Sequence, residues 1–153
     1  DAIVCACDGV NYLTDEKSVQ RFLKCAREAL KPGGVLAFDI SNAGKLREMG
    51  RVGLYGEDLE NETYLWQNEY DESTSLLTMR LAFFVRDKDG RYRKFEETHV
   101  QRAHRVEEIL RLLTDAGFEN IHVFGGDEGE SEGPGGQRCY FAATRADRKD
   151  ETI

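Results

Sequence analysis

Two short apolar runs separated by one amphipathic repeat constrain this chain more than any other feature. Ile3, Val4, Cys5 and Ala6 are consecutive apolar residues, the pattern of a strand buried on both faces of a parallel sheet. Thr14 is placed to cap a helix, with Asp15 and Glu16 in a first turn where the macrodipole favours acids. Val19, Phe22, Leu23, Ala26, Ala29 and Leu30 then recur at spacings of three and four, an amphipathic stripe. Lys31-Pro32-Gly33-Gly34 ends that helix, and residues 35–40 (VLAFDI) read as a second buried strand. Strand, crossover helix and strand imply parallel pairing. A first strand buried on both faces needs a neighbour on each side, and the missing one is expected upstream of Asp1.

The middle of the chain has another texture. Residues 64–70, 76–85 and 92–102 read as three strands, separated by turn residues at Asp71-Glu72-Ser73 and Asp87-Lys88-Asp89-Gly90. Such spacing predicts an antiparallel meander with Trp66, Tyr70, Met79, Leu81, Phe83 and Phe95 on its apolar face. Val106, Ile109, Leu110, Leu113 and Ala116 mark another helix, ended by Gly117. Residues 121–124 and 139–144 form a closing pair of strands. The acidic, glycine-rich stretch between them reads as mobile solvent-facing loop, and the charged end from Ala146 as frayed.

The 153 residues suffice for one domain with a core. A formal charge of −8 disfavours a protein whose main work is gripping nucleic acid. No apolar run reaches the ~20 residues that span a bilayer, so no membrane partner is expected. Cys5, Cys7, Cys25 and Cys139 fall within apparent strands and a helix, a usage that suggests reduced thiols and a cytoplasmic location. Cys5 and Cys7 share a strand face without two further ligands at suitable spacing, so no metal is expected.

Several segments resemble a known family when taken in order. ALKPGGVLAFDI (residues 29–40) resembles the helix, turn and strand of class I S-adenosylmethionine-dependent methyltransferases. CDGVNYL (7–13) resembles the motif after their fourth strand, and VEEILRLLTDAGFENIHVFG (106–125) their last helix, turn and sixth strand. The stretch from NETYLWQNEYD to FEETHVQRAH resembles a β-meander inserted after the fifth strand in one bacterial subgroup. The resemblance implies an α/β fold: an incomplete Rossmann-like sheet of strands 4-5-7-6, the last antiparallel, with an inserted three-stranded antiparallel meander at about residues 52–103. It also implies that the first three strands, with the glycine-rich cofactor loop, are absent from residues 1–153. The fourth strand would then be an exposed edge, open to homo-oligomer formation. One departure is His104-Arg105, where the family shows an aromatic and a hydroxyl residue; Arg105 cannot cap the following helix as a hydroxyl does.

Ligands of open α/β sheets bind beyond the carboxyl ends of the strands. The resemblance therefore implies S-adenosylmethionine as cofactor, with Cys7, Asp8 and Gly9 facing it. Asp8 is alternatively an Asx-type turn residue. On the side of a small-molecule acceptor stand Asn11, Tyr12, Asn42, Tyr64, Trp66 and His99, with the meander as roof. Each has a plainer reading: Tyr12 a core-packed ring with its hydroxyl at the surface, Asn42 a helix cap ahead of residues 43–48, Tyr64 and Trp66 glue between insert and sheet, His99 an exposed strand histidine. His104 and His122 have no partner visible in the sequence, and no residue stands out as catalytic. The expected function is methyl transfer to a small molecule in the parent protein. The alternative is a non-catalytic interaction module that pairs through its first strand.

Overall fold

A computed structural model describes residues 1–125, 131–132 and 136–146 of the chain. In chain order it contains β1 (Ala2–Cys5), a 3-10 turn (Gly9–Tyr12), α1 (Glu16–Ala29), β2 (Val35–Ser41), α2 (Ala43–Val52), β3 (Leu54–Asp58) and β4 (Glu62–Asp71). There follow β5 (Leu76–Arg86), β6 (Tyr92–Arg102), α3 (Val106–Asp115), β7 (Phe118–Gly125), β8 (Ser131–Glu132) and β9 (Arg138–Arg145). These form two sheets, one ordered β1-β2-β9-β7-β8 and the other β3-β4-β5-β6. Among the described residues, no helix is long and apolar enough to cross a membrane.

In the first sheet β1 pairs parallel to β2, while β9 runs antiparallel between β2 and β7. The expected parallel pair and closing pair are both present. β1, however, is not buried on both faces: its residues alternate between exposed and half-buried, and Val4 is 72% exposed at the sheet edge. The apolar run thus reported strand character but not the burial expected from it. Helices α1 and α3 cover one face, burying Val19, Leu23 and Ala26 from one helix and Ile109, Leu112 and Leu113 from the other. They pack on Leu36, Phe38 and Ile40 of β2 and on Phe141 and Ala143 of β9. Phe38 and Phe141 are register partners whose rings stack 5.0 Å apart. Each large side chain buried this way contributes roughly 1.5–3 kcal/mol.

The cap of α1 is Asp15 and not Thr14: the Asp15 carboxylate accepts from Ser18 N at 2.8 Å. Sequence spacing alone places such a boundary only to within a residue or two. Arg105 begins α3 without a side-chain cap, as expected. Between Gly125 and Gly136 of the acidic loop, only Ser131–Glu132 is described, as the short strand β8 paired with β7. The rest of that loop, and the charged end beyond Ala146, lie outside the described residues.

The second sheet has four strands where three were expected. The additional strand, β3, pairs antiparallel with β4 and is exposed along its whole length, so no alternation marks it in the sequence. Helix α2 covers one face of this sheet, placing Leu46 against Leu77, Met79 and Leu81, with Trp66, Tyr70 and Phe83 around them. Phe95, expected on the apolar face, is 46% exposed. Arg80, Arg93 and Lys94 pair with Glu69, Asp87 and Glu96 in solvent, contacts that contribute little to stability.

Helix α2 approaches β4 closely at one residue. A Cβ on Gly50 would lie 2.5 Å from Tyr70 Cβ. In an open helix interior alanine stabilises by about 1 kcal/mol relative to glycine. Here overpacking dominates, and Gly50→Ala is expected to destabilise by about 1–3 kcal/mol in urea unfolding. A variant more stable than the parent would contradict this packing.

Candidate functional site

The carboxyl ends of β1 and β2 meet the amino end of β9 and the carboxyl end of β6. Directly after β1, Cys7 and Asp8 both take left-handed backbone conformations, with φ of 60° and 53°. For non-glycine residues such backbone costs of order 1–3 kcal/mol each, so the surroundings must hold it. Asp8 N donates to Asp39 Oδ2 at 3.0 Å. The Asp8 carboxylate pairs with Arg138 Nη2 at 2.8 Å and accepts from Gln101 Nε2 of β6 at 3.1 Å. It makes no cap bond to its own turn, so the Asx-type reading is replaced by a tertiary one. Gly9 lies close to β1, where a Cβ would sit 2.9 Å from Cys5 Sγ and turn that side chain aside.

Arg138 bridges the two acids, because its Nη1 also pairs with Asp39. Asp39 is buried and Arg138 half-buried. Burial works against the charged guanidinium, but Asp8 and Asp39 together outweigh it and hold the pKa above the ordinary arginine value. Two carboxylates and one guanidinium leave the cluster with a net formal charge of −1. Nothing in the sequence marked Arg138, since it is 99 residues from Asp39. Burial first, and Asp39 second, push the Cys5 thiol up, which keeps it from serving as a thiolate.

Asn11 is fully buried. Its Nδ2 donates to Ser41 O and to Arg102 O, both at 2.9 Å, and its Oδ1 accepts from Ser41 N at 2.9 Å. These bonds tie the turn after β1 to the ends of β2 and β6, occupying the side chain with backbone. His104 also has partners, against expectation: it is 2% exposed, and its Nε2 donates to Val10 O at 3.2 Å. On the other ring nitrogen, Arg102 Nη1 lies 3.5 Å from Nδ1, while Arg102 pairs with Glu108 at 3.0 Å.

Tyr12 is 45% exposed, so it is not the core ring of the plainer reading. Its hydroxyl lies within hydrogen-bond distance of His99 Nδ1, at 3.3 Å, with the rings edge-on. Two sequence-identified residues 87 positions apart are thereby brought together. Asn42 does cap α2, accepting from Lys45 N at 2.9 Å. Its Nδ2 donates to Gly136 O. Trp66 stacks on Tyr55 at 5.5 Å, and the Tyr64 hydroxyl donates to Glu57 at 3.1 Å. Trp66 Nε1, both amide atoms of Asn68 and the Tyr70 hydroxyl are buried without hydrogen-bond partners among the described residues. All three side chains belong to one face of β4, a concentration of unmet polar groups that the sequence did not signal.

No known family profile matches the chain. It is 32% identical over 148 residues to YqeM of Bacillus subtilis, provisionally named a methyltransferase, covering 95% of this chain and 59% of that protein. A solved S-adenosylmethionine-dependent methyltransferase from Clostridium acetobutylicum superposes with a TM-score of 0.82 at 28% identity, over 96% of this chain and 58% of that one. CalS10, an amino pentose methyltransferase from Micromonospora echinaspora solved with S-adenosylmethionine bound, shares the fold with a TM-score of 0.63 at 20% identity, over 95% and 58%. By sequence and by fold the chain is thus similar to S-adenosylmethionine-dependent methyltransferases. It spans 59% of the length of the curated relatives it matches.

Two measurements follow from this geometry. Asn11→Ala strands a buried N–H and two carbonyls, and should cost about 2–3 kcal/mol in chemical denaturation; a loss within error would contradict the bridging role. Burial, with Arg102 second, lowers the His104 pKa below its usual value, outweighing Glu108 and the backbone carbonyls. The unfolded chain then takes up a proton near pH ~6.5 that the folded chain refuses. Stability is therefore full above that pH and falls as the pH drops below it. His104→Gln should flatten the fall in Tm between about pH 6.5 and 5; an unchanged slope would assign it elsewhere.

Proposed function

We propose that this chain carries the acceptor side of an S-adenosylmethionine-dependent methyltransferase acting on a small molecule. In this reading β1, β2, β9 and β7 correspond to strands 4-5-7-6 of the fold. The sheet from β3 to β6, within about residues 52–103, is an insertion that roofs the acceptor pocket. The observation that carries the reading is the strained turn at Cys7 and Asp8, held open at a strand end by Arg138, Asp39 and Gln101. Stored strain and binding sites coincide at such places.

The residues present fit one end of the cofactor. Bound S-adenosylmethionine supplies a methyl group on a positively charged sulfur. The net negative charge of Asp8, Asp39 and Arg138 suits that cation, and Gly9 keeps the neighbouring backbone free of a side chain. Cys7 is exposed beside it. Tyr12 and His99 stand on the acceptor side, with Trp66 and Tyr64 further along the roof. Asn11 and Asn42 act through the backbone they hold, one clamping the turn and the other starting α2. The chain's part in catalysis is then positioning, which supplies much of the rate when the electrophile is already activated.

The alternative of a non-catalytic module pairing through β1 draws on the exposure of Val4. Calorimetric titration with S-adenosylhomocysteine separates the two, using the chain alone and the chain joined to the remaining part of the methyltransferase fold. The completed protein should bind one equivalent, and Asp8→Asn should weaken binding by about tenfold or more. No binding by the completed protein would overturn the methyltransferase reading. Binding unaffected by Asp8→Asn would move the site.

A further inference from the structure

Tyr12, His99 and Glu97 form a continuous hydrogen-bonded chain. The Tyr12 hydroxyl lies 3.3 Å from His99 Nδ1, and the opposite nitrogen, Nε2, lies 3.1 Å from Glu97 Oε2. A carboxylate only accepts, so in the neutral ring Nε2 carries the hydrogen toward Glu97 and Nδ1 accepts from the Tyr12 hydroxyl. His99 and Glu97 alternate on one face of β6, and Gln101, next on that face, holds Asp8 at 3.1 Å. The chain of bonds therefore begins at an exposed phenol on the turn that holds Asp8, four residues before it in sequence. Neither the fold nor stability calls for it, since Tyr12 and Glu97 are both exposed.

We propose that Glu97, His99 and Tyr12 are a proton-accepting chain serving an acceptor that bears a hydroxyl or an amine. The proposal rests on the methyl-transfer reading and adds a chemical class to it. The free lone pair of the Tyr12 oxygen takes the acceptor's proton. As that O–H or N–H bond breaks, its electron pair stays on the acceptor atom, which is then free to bond the methyl group. The phenol hydrogen passes at the same time to His99 Nδ1, and the imidazolium so formed lies against the Glu97 carboxylate. Tyr12 ends the step as a neutral phenol, so no phenolate has to form. Of the three, Tyr12 would touch the acceptor, while His99 and Glu97 act through it.

Acylation of the 153-residue chain by N-acetylimidazole tests the chain of bonds without cofactor or acceptor. As the Tyr12 oxygen attacks the acetyl carbon, the chain of bonds passes the phenol proton to His99 Nδ1, the same transfer that is proposed, and the departing imidazole takes a proton from solvent. Peptide mapping by mass spectrometry compares Tyr12 with Tyr92, which is similarly exposed at 50% and serves as the internal reference. Tyr12 should be acetylated at least about tenfold faster than Tyr92. His99→Gln should bring it down to the Tyr92 rate, and Glu97→Gln should leave it between the two. An unchanged Tyr92 rate in the variants shows that the fold is retained. Equal rates in the parent chain, or a Tyr12 advantage that survives His99→Gln, would overturn the proposal. Either result leaves the cofactor titration untouched, and failure of that titration leaves the acylation rates untouched, so the two readings fail separately.

Discussion

The buried amide of Asn11 is the joint on which the arrangement depends. It bonds the backbone at the end of β2 and at the end of β6 from a single side chain on the turn after β1. The mixed sheet and the meander have separate cores, and this joint ties the turn after β1 to the end of β6. His104 supports it from below by donating to Val10 O. The consequence falls on the next residue, because Tyr12 is delivered to His99 only while the turn keeps this position. The proposed substrate roof and strand-end site would need such a fixed relation, since misplacement by an ångström can cost much of a positioning effect.

Charge maintains what Asn11 positions. The left-handed backbone at Cys7 and Asp8 costs of order 1–3 kcal/mol per residue. The hydrogen bonds to charged partners around Asp8 contribute about 1.5–3 kcal/mol each, enough to offset it. Arg138 is the economical element, since one guanidinium serves acids on both neighbouring strand ends. Their sum leaves a net negative cluster, which on the proposed reading faces a cationic sulfur that loses its charge on reaction. The same logic explains why Asp8 is not a turn residue in the local sense: its carboxylate is committed to Arg138 and Gln101.

Much of the fold was legible because it is written in short-range periodicity. The stripes of α1 and α3, the apolar run of β2 and the long strands of the meander all show in windows of a dozen residues. Asn42 was legible as a cap for the same reason. β3 was not, because all five of its residues are exposed and its pairing comes from β4 alone. The site divides in the same way. Asp8, Tyr12 and His99 carry recognisable chemistry, but Asp39 and Gln101 lie 31 and 93 residues from Asp8, Arg138 farther still, and Tyr12 lies 87 from His99, so sequence spacing holds no trace of these pairs. Arg138 and the burial of His104 belong to that hidden part. So do the unmet polar atoms of Trp66, Asn68 and Tyr70, which become visible only when α2 closes over β4.

The central claim is a location: the ends of β1 and β2, under the meander, are where the cofactor's reactive end lies. Amide chemical-shift mapping of the completed protein with S-adenosylhomocysteine tests it most directly. The account places the largest shifts at Cys7, Asp8 and Gly9, with Asn42 and His99 affected next. Shifts gathered instead between α1 and α3, around Lys24, Leu112 and Ala116, would contradict it.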